Sequence, residues 1–193
     1  MRINIAAIIM AAHALARTYP IPQSPEGEER FATLALVKNV TNCTHLRSQA
    51  SAGLIEAALL NPRLLCSEFH VLTAVNKAVM KRADNQMKTK NIYSEVIYNL
   101  SSSTNISDSF KNFGISDDCT DVLVVLLISD PVRNAKVNGV LGIINGEVVS
   151  LENIAEMNDA DAIKKVYKIS KEECAISSLE NSVATRIATR DVL

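Results

Sequence analysis

The stretch DVLVVLLI at residues 121–128 decides the fold, because it is the most apolar run beyond the first sixteen residues. It is short and rich in valine, which favours a central β-strand over a helix. A second apolar run, FATLALV at residues 31–37, is bounded by charged residues and predicts another buried strand. We therefore expect a sheet with at least two buried strands.

Helical periodicity surrounds these strands. Ser67 is a candidate N-cap, and the residues that follow it repeat at spacings of three and four, which predicts an amphipathic helix ending near residues 83–85. The apolar stripe of this helix is predicted to be Phe69, Leu72, Val75 and Val79. The pair Asn145-Gly146 predicts a hairpin turn between residues 141–144 and 147–149.

Four more helices are expected from similar spacing. Their apolar faces are Leu46 and Ala50; Ile92, Val96, Ile97 and Leu100; Ile106, Phe110 and Phe113; and Ala162, Ile163, Val166 and Tyr167. A last helix follows a capping box at Ser170 and Glu173, and its face is Ile176, Leu179, Val183 and Ile187. The sequence thus predicts an α/β (mixed α+β) protein, a single compact domain over residues 17–193 with a small mixed sheet flanked by helices.

The composition excludes several classes of protein. A chain of 193 residues with 48% hydrophobic residues and a net charge of −1 is one ordinary globular domain, neither a polycation nor a disordered chain. The four cysteines are widely spaced and form no zinc-ribbon pattern, and the three histidines are far apart. Phosphate-binding glycine loops and the common hydrolase and metalloprotease motifs do not occur. The missing motifs do not exclude catalysis but lower its expectation, and we predict no catalytic residue, no metal site and no cofactor.

The first sixteen residues, MRINIAAIIMAAHALA, allow two interpretations. The early arginine, the apolar run and the small residues before position 17 fit a secretory signal peptide, although the apolar run is too short to span a membrane. In a secreted chain, four asparagines would head glycosylation sequons: Asn39, Asn42, Asn99 and Asn105. The alternative, which we favour, is an atypical and poorly ordered N-terminal extension over residues 1–16.

A basic span is the main charged feature of the sequence. It holds Lys77, Lys81, Arg82, Lys88 and Lys90, with Asp84 among them. Several positive groups in a short span can contact successive phosphates of a nucleic acid. Equally, they can form a solvated helix face and the loop after it. His70, in the first turn of the same helix, is expected at the surface or near the cap, with a ligand contact as the alternative.

Three segments of the sequence resemble the PRPK-binding protein family, the regulatory subunits of the KEOPS (EKC) complex. These are SEFHVLTAVNKAVM at residues 67–80, QMKTKNIYSEVIYNLSSSTNISDSFKNFGIS at residues 86–116, and KKVYKIS at residues 164–170. The resemblance continues through the terminal TRDVL and covers the chain from about Tyr19 onward. It departs from the family only at residues 1–16, which precede the usual start.

The resemblance implies a non-catalytic scaffold that binds a PRPK-type atypical kinase directly. Through it the chain would meet a Kae-type threonylcarbamoyltransferase and the other KEOPS subunits, and would support threonylcarbamoyladenosine modification of tRNA in the cytoplasm and nucleus, without a membrane. Candidate anchors for the kinase are Leu179, Val183 and Ile187. Archaeal relatives grip the CCA end of tRNA, so the alternative role is a tRNA-recruiting module. Its candidate contacts are His70, Lys77, Lys81, Arg82, Lys88 and Lys90.

Overall fold

A computed structural model describes residues 15–25, 29–130 and 135–191. These residues contain five strands. They are β1 (Arg17–Pro20), β2 (Phe31–Lys38), β3 (Ala58–Leu60), β4 (Val122–Ile128) and β5 (Glu147–Val149). Both apolar runs that were expected to be buried strands are confirmed, as β2 and β4.

The same residues form nine α-helices and two short 3₁₀ helices. The first five helices are α1 (Cys43–Ser51), α2 (Glu68–Ala83), α3 (Ile92–Leu100), α4 (Ile106–Phe113) and α5 (Ala135–Gly142). The remaining four are α6 (Ile154–Met157), α7 (Ala160–Tyr167), α8 (Lys171–Ile176) and α9 (Leu179–Thr189). The predicted α+β class is confirmed.

The sheet has the strand order β1-β2-β4-β3, and β5 pairs with β2 beside β1. Its centre is the β2–β4 pair, in which Phe31 lies opposite Ile128 and Val37 opposite Val122. We expected a mixed sheet, but all pairings in the described ranges are antiparallel. No pair needs a right-handed crossover, because antiparallel neighbours can be joined from the same end of the sheet.

Both faces of the sheet are covered, which explains why every residue of β4 is apolar. Alternate residues of β2 and β4 belong to two separate core clusters. The larger cluster lies under α2, α3, α7 and α9, and the smaller one under α1 and α5. The domain therefore has helices on both sides of an antiparallel sheet.

Two predicted details of the secondary structure are wrong. Residues 141–144 do not form the first arm of a hairpin, because α5 extends to Gly142 and β5 pairs with β2 instead. The last helix is split: Ser170 caps α8, and Ser178 then starts α9. Both errors come from signals that fix a local turn or cap but cannot say which segment lies on the other side of it.

Of residues 1–16, only Leu15 and Ala16 lie in the described part of the chain, so the expectation for this segment falls on residues outside it. One of the four sequons can be judged from burial. Asn99 is fully buried, and its side chain bonds to the Glu95 carbonyl and to Arg190. The folded domain therefore offers no glycosylation site at Asn99. No helix in the described ranges is long and apolar enough to cross a membrane.

Candidate functional site

Two of the three predicted kinase anchors belong to the core. Val183 and Ile187 have no exposed surface and pack in the larger core cluster. Leu179 is partly buried and packs against the same cluster. The prediction that Val183 and Ile187 are docking residues is therefore wrong, because helical spacing identifies an apolar face but not whether the face meets the domain's own core.

Two exposed apolar side chains lie instead on α2. Phe69 is 53% exposed and Met80 is 49% exposed, and Thr73 and Asn76 lie between them on the same stripe of the helix. The predicted core stripe is thus wrong at Phe69, and Leu72 is only partly buried. The true buried face is made by His70, Val71, Ala74, Val75, Ala78 and Val79. This buried face contains alanines, valines and one histidine, whereas Phe69 and Met80 lie on the opposite, exposed side of the helix.

Helix α9 lies beside α2 and runs in the same direction. Near the start of both helices, the Ser67 hydroxyl donates to the Glu180 carboxylate. Further along, Lys77 Nζ donates to the Ile187 carbonyl at 2.5 Å. We call the outer surface of this helix pair, with Phe69 and Met80 on it, the α2–α9 face. Ile176 is 88% exposed and lies just before α9, at the end where both helices begin.

Three residues of the basic span are held by carboxylates. Asp191 pairs with Lys77 at 3.3 Å and with Lys81 at 3.1 Å, and Arg82 pairs with Glu29 at 3.0 Å. Burial lowers the pKa of Lys77. Burial alone would raise the pKa of Asp191, but hydrogen bonds from Lys81 and Arg190 and the charge of Lys77 lower it to about 2. Lys77, Lys81 and Arg82 thus join α2 to the rest of the domain.

His70 was expected at the surface or near the cap: its amide bonds to the Ser67 cap, but its side chain is fully buried. Its Nδ1 accepts from the Cys66 amide at 3.1 Å, and its Nε2 lies 2.8 Å from the Tyr167 hydroxyl. That hydroxyl donates in turn to the Leu100 carbonyl. Burial lowers the pKa of His70 to about 3. Both ring nitrogens are used inside the protein, so His70 is not an RNA contact in this structure.

Lys88 and Lys90 have a different environment. Both are exposed and lie at the rim of a cleft of about 840 Å³ between α1, β3, α3 and α4. Lys111, which is not among the predicted contacts, lies at the same rim. In the described ranges, no carboxylate forms an ion pair with these three lysines. We call this feature the basic cleft.

The wall of the basic cleft is largely apolar. Its lining includes Ile55, Ile97, Ile106, Phe110 and Ile115. Ile106 is 42% exposed and Phe110 is 37% exposed, although both were expected to form the buried stripe of α4. Arg47 also lines the cleft, but Asp117 binds its guanidinium with two hydrogen bonds of 2.8 and 2.6 Å. Cations above apolar walls suit a ligand with both phosphates and flat rings.

Glu95 is a second feature that the sequence did not reveal. Its side chain is buried on α3, and its Oε2 accepts three hydrogen bonds from the segment that carries the cleft lysines. The donors are the Lys88 amide at 3.0 Å, the Thr89 amide at 2.9 Å and the Thr89 hydroxyl at 2.7 Å. A glutamate in the first turn of a helix is usually assigned to the helix dipole, so sequence alone gives no sign of this contact.

The described residues hold no group of three or more His, Cys, Asp or Glu side chains that could bind a metal. Burial raises the pKa of the Cys43 and Cys66 thiols to about 11, so neither is a thiolate nucleophile at neutral pH. The two exposed features described above, the α2–α9 face and the basic cleft, contain neither Cys43 nor Cys66.

Comparison with known proteins adds a family. Residues 37–191 match the family described as kinase binding protein CGI-121. The EKC/KEOPS complex subunit TPRKB of Danio rerio is 39% identical over 164 residues, which cover 85% of this chain and 93% of the relative. The EKC/KEOPS complex subunit cgi121 of Aspergillus fumigatus is 37% identical over 142 residues, 70% of this chain and 75% of the relative. The EKC/KEOPS complex subunit CGI121 of Candida glabrata is 30% identical over 173 residues, which cover 89% of this chain and 93% of the relative.

Proposed function

Because this chain belongs to the CGI-121 family of kinase-binding proteins, we propose that it is the non-catalytic, kinase-binding subunit of a KEOPS (EKC) complex. Its direct partner is a PRPK-type atypical kinase. Through that kinase it meets a Kae-type threonylcarbamoyltransferase and the other KEOPS subunits. Its role is to support threonylcarbamoyladenosine modification of tRNA in the cytoplasm and nucleus.

The exposure of Phe69 and Met80 is the observation that carries the kinase-binding role. The rest of α2 packs against α3, α9 and the sheet, so these two side chains are left on the outside of an otherwise integrated helix. Phenylalanine and methionine are enriched in the buried centres of protein interfaces. Thr73 and Asn76 lie between the two apolar side chains, so each apolar side chain of the α2–α9 face has a polar neighbour along the helix.

A subunit that docks in this way regulates its partner by differential affinity. If the α2–α9 face binds one conformation of the kinase more tightly than another, docking shifts the kinase toward that conformation. The domain itself need not change, because its docking helix is fixed by the core and by Lys77 and Lys81. A rigid docking surface loses little conformational entropy on binding.

Co-expression with the kinase, followed by affinity purification and gel filtration, tests this proposal. The double variant Phe69→Glu/Met80→Glu should lose the stoichiometric complex, because the interface would have to bury two charges. Ile143→Glu is the matched control, since Ile143 is 44% exposed but lies after α5, away from the α2–α9 face. Co-elution of the double variant at the wild-type ratio would refute docking on this face. A wild-type chain that does not bind the kinase would refute the role itself.

The second candidate function is tRNA recruitment through the basic cleft. It is favoured by Lys88, Lys90 and Lys111 at the rim of a groove with apolar walls. The occupant is the single-stranded CCA end of tRNA, which offers phosphates to the lysines and bases to the apolar wall.

Titration of the chain with tRNA, with and without its CCA end, tests this function. Lys88→Ala/Lys90→Ala should weaken binding and lower the slope of log K against log salt by about 0.7 for each lost contact to a single strand. Lys165→Ala, which removes an exposed lysine of α7, is the control. Equal affinity for tRNA with and without the CCA end would refute recognition of that end.

A further inference from the structure

We propose that Glu95 is the positioning residue of the basic cleft: its buried carboxylate gathers the backbone of Lys88 and Thr89 and so holds Lys88 and Lys90 at the rim. This inference rests on the second candidate function, because it explains how the cleft is kept ready for a phosphate-bearing single strand. The segment between α2 and α3 has no helix or strand of its own to fix it.

The bonding of Glu95 differs from that of an ordinary buried acid. A buried carboxylate is strongly unfavourable unless it is paired or hydrogen-bonded. In the described residues, no Lys, Arg or His side chain forms an ion pair with Glu95. Its Oε2 is compensated instead by two backbone amides and one hydroxyl, all from Lys88 and Thr89. Hydrogen bonds to an ionised acceptor are about twice as strong as neutral ones, so the carboxylate fixes the path of this segment.

The other end of α3 is fixed by the C-terminal residues. Asn99 donates to the Glu95 carbonyl at 2.9 Å, and its Oδ1 accepts from Arg190 at 2.8 Å. Arg190 also donates to the Tyr98 carbonyl at 2.7 Å and the Ser101 carbonyl at 2.9 Å. Glu95 therefore projects from a helix that is itself held in place, and the lysine segment is positioned against a rigid support.

The charge of Glu95 gives the proposal an unusual test. Glu95→Gln removes one negative charge beside two lysines, so charge alone predicts tighter binding of a polyanion. Loss of the positioning of Lys88 and Lys90 predicts weaker binding instead. A glutamine keeps the size of the side chain but accepts weaker hydrogen bonds, so Lys88 and Lys90 are no longer held at the rim. The sign of the change in affinity thus separates the two roles.

The experiment uses the full chain and a fluorescent single-stranded oligoribonucleotide that ends in CCA, titrated at several salt concentrations. Loss of two phosphate contacts should weaken binding about 25-fold at about 0.1 M salt and make the salt slope shallower by about 1.4. Glu152→Gln is the matched control, because Glu152 is an exposed acid paired with Arg17, far from the cleft. Unchanged or tighter binding by Glu95→Gln, with an unchanged slope, would overturn the proposal.

Hydrogen exchange separates this inference from the function on which it rests. The amides of Lys88 and Thr89 should exchange faster in Glu95→Gln and stay protected in Glu152→Gln. If the wild-type chain does not bind the oligonucleotide, tRNA recruitment is refuted, and exchange alone decides whether Glu95 positions the segment. If the Lys88 and Thr89 amides stay protected in Glu95→Gln, the positioning role of Glu95 is wrong. Thr89→Val, which removes one donor and leaves α3 intact, should give a smaller effect of the same sign, so the test survives if Glu95→Gln does not fold.

Discussion

Arg186 on α9 and Arg190, the residue that follows the helix, allow a quantitative test of the packing of the C-terminal helix. The side chain of Arg190 is 2% exposed, and its donors bind the Tyr98 and Ser101 carbonyls and Asn99. Its guanidinium also lies 4.2 Å from the centre of the Tyr98 ring. Arg190→Met keeps much of the apolar volume but leaves these acceptors without their donor.

The expected loss of stability follows from the polar groups that stay buried without their donor. Breaking a buried, hydrogen-bonded charge pair by removing one partner costs about 3–5 kcal/mol, because the remaining polar groups stay buried. Because Asp191 keeps its contacts with Lys77 and Lys81, we expect Arg190→Met to lower the free energy of unfolding by about 3–4 kcal/mol. Arg186→Met is the control: its side chain is 32% exposed, so its bonds to Glu173 and to the Tyr167 and Lys168 carbonyls are partly solvated, and we expect a smaller loss of about 1 kcal/mol.

Urea denaturation of the purified chain measures both values. With an m-value of about 2 kcal/mol per M, the midpoint should fall by about 1.5–2 M for Arg190→Met and by about 0.5 M for Arg186→Met. The m-values should not change, since both variants unfold from the same fold. If Arg190→Met is no less stable than Arg186→Met, the assignment of Arg190 as the clamp on the end of α3 is wrong.

Three further predictions concern the core and the β5 turn. Because burial lowers the pKa of His70 to about 3 from 6.5, only the unfolded chain binds its proton between these values, so stability should fall by about 2 kcal/mol from about pH 7.5 to about pH 5. A flat profile in urea melts would contradict this. Tyr167→Phe leaves His70 Nε2 and the Leu100 carbonyl without their partner, so it should lower the free energy of unfolding by about 2–4 kcal/mol. The control Tyr19→Phe should lower it by less than about 0.5 kcal/mol. Gly146→Ala should lower the thermal midpoint, because a Cβ there would lie 2.7 Å from the Lys38 carbonyl oxygen. An unchanged midpoint would show that the turn moves freely.

The parts of the fold that were predictable are those with a local cause. The runs that became β2 and β4 are apolar because both sides of the sheet are covered, and that is visible in the sequence. Ser67 and Ser170 were identified as caps because a cap bonds to an amide three residues away. Such signals require no knowledge of the rest of the chain.

The candidate sites depended on contacts between distant segments, so they were predicted less well. Lys77 looks like a solvated lysine until Asp191 is brought beside it. Val183 looks like a docking residue until α9 is packed on the core. Of the predicted tRNA contacts, Lys88 and Lys90 are exposed at the basic cleft, and no carboxylate in the described ranges forms an ion pair with them. Glu95 was missed because its three donors belong to a segment with no pattern of its own.

The order of the strands also constrains when the protein can fold during its synthesis. Phe31 in β2 pairs with Ile128 in β4, so the centre of the sheet cannot close until roughly two thirds of the chain has left the ribosome. Until then β2 has a long apolar edge without its partner, which is the kind of segment that aggregates. The helix pair α2 and α9 closes later still, since α9 begins at Leu179, after every strand of the sheet. A chain whose translation stops before residue 179 lacks half of that pair, so only a chain translated through α9 presents the whole α2–α9 face.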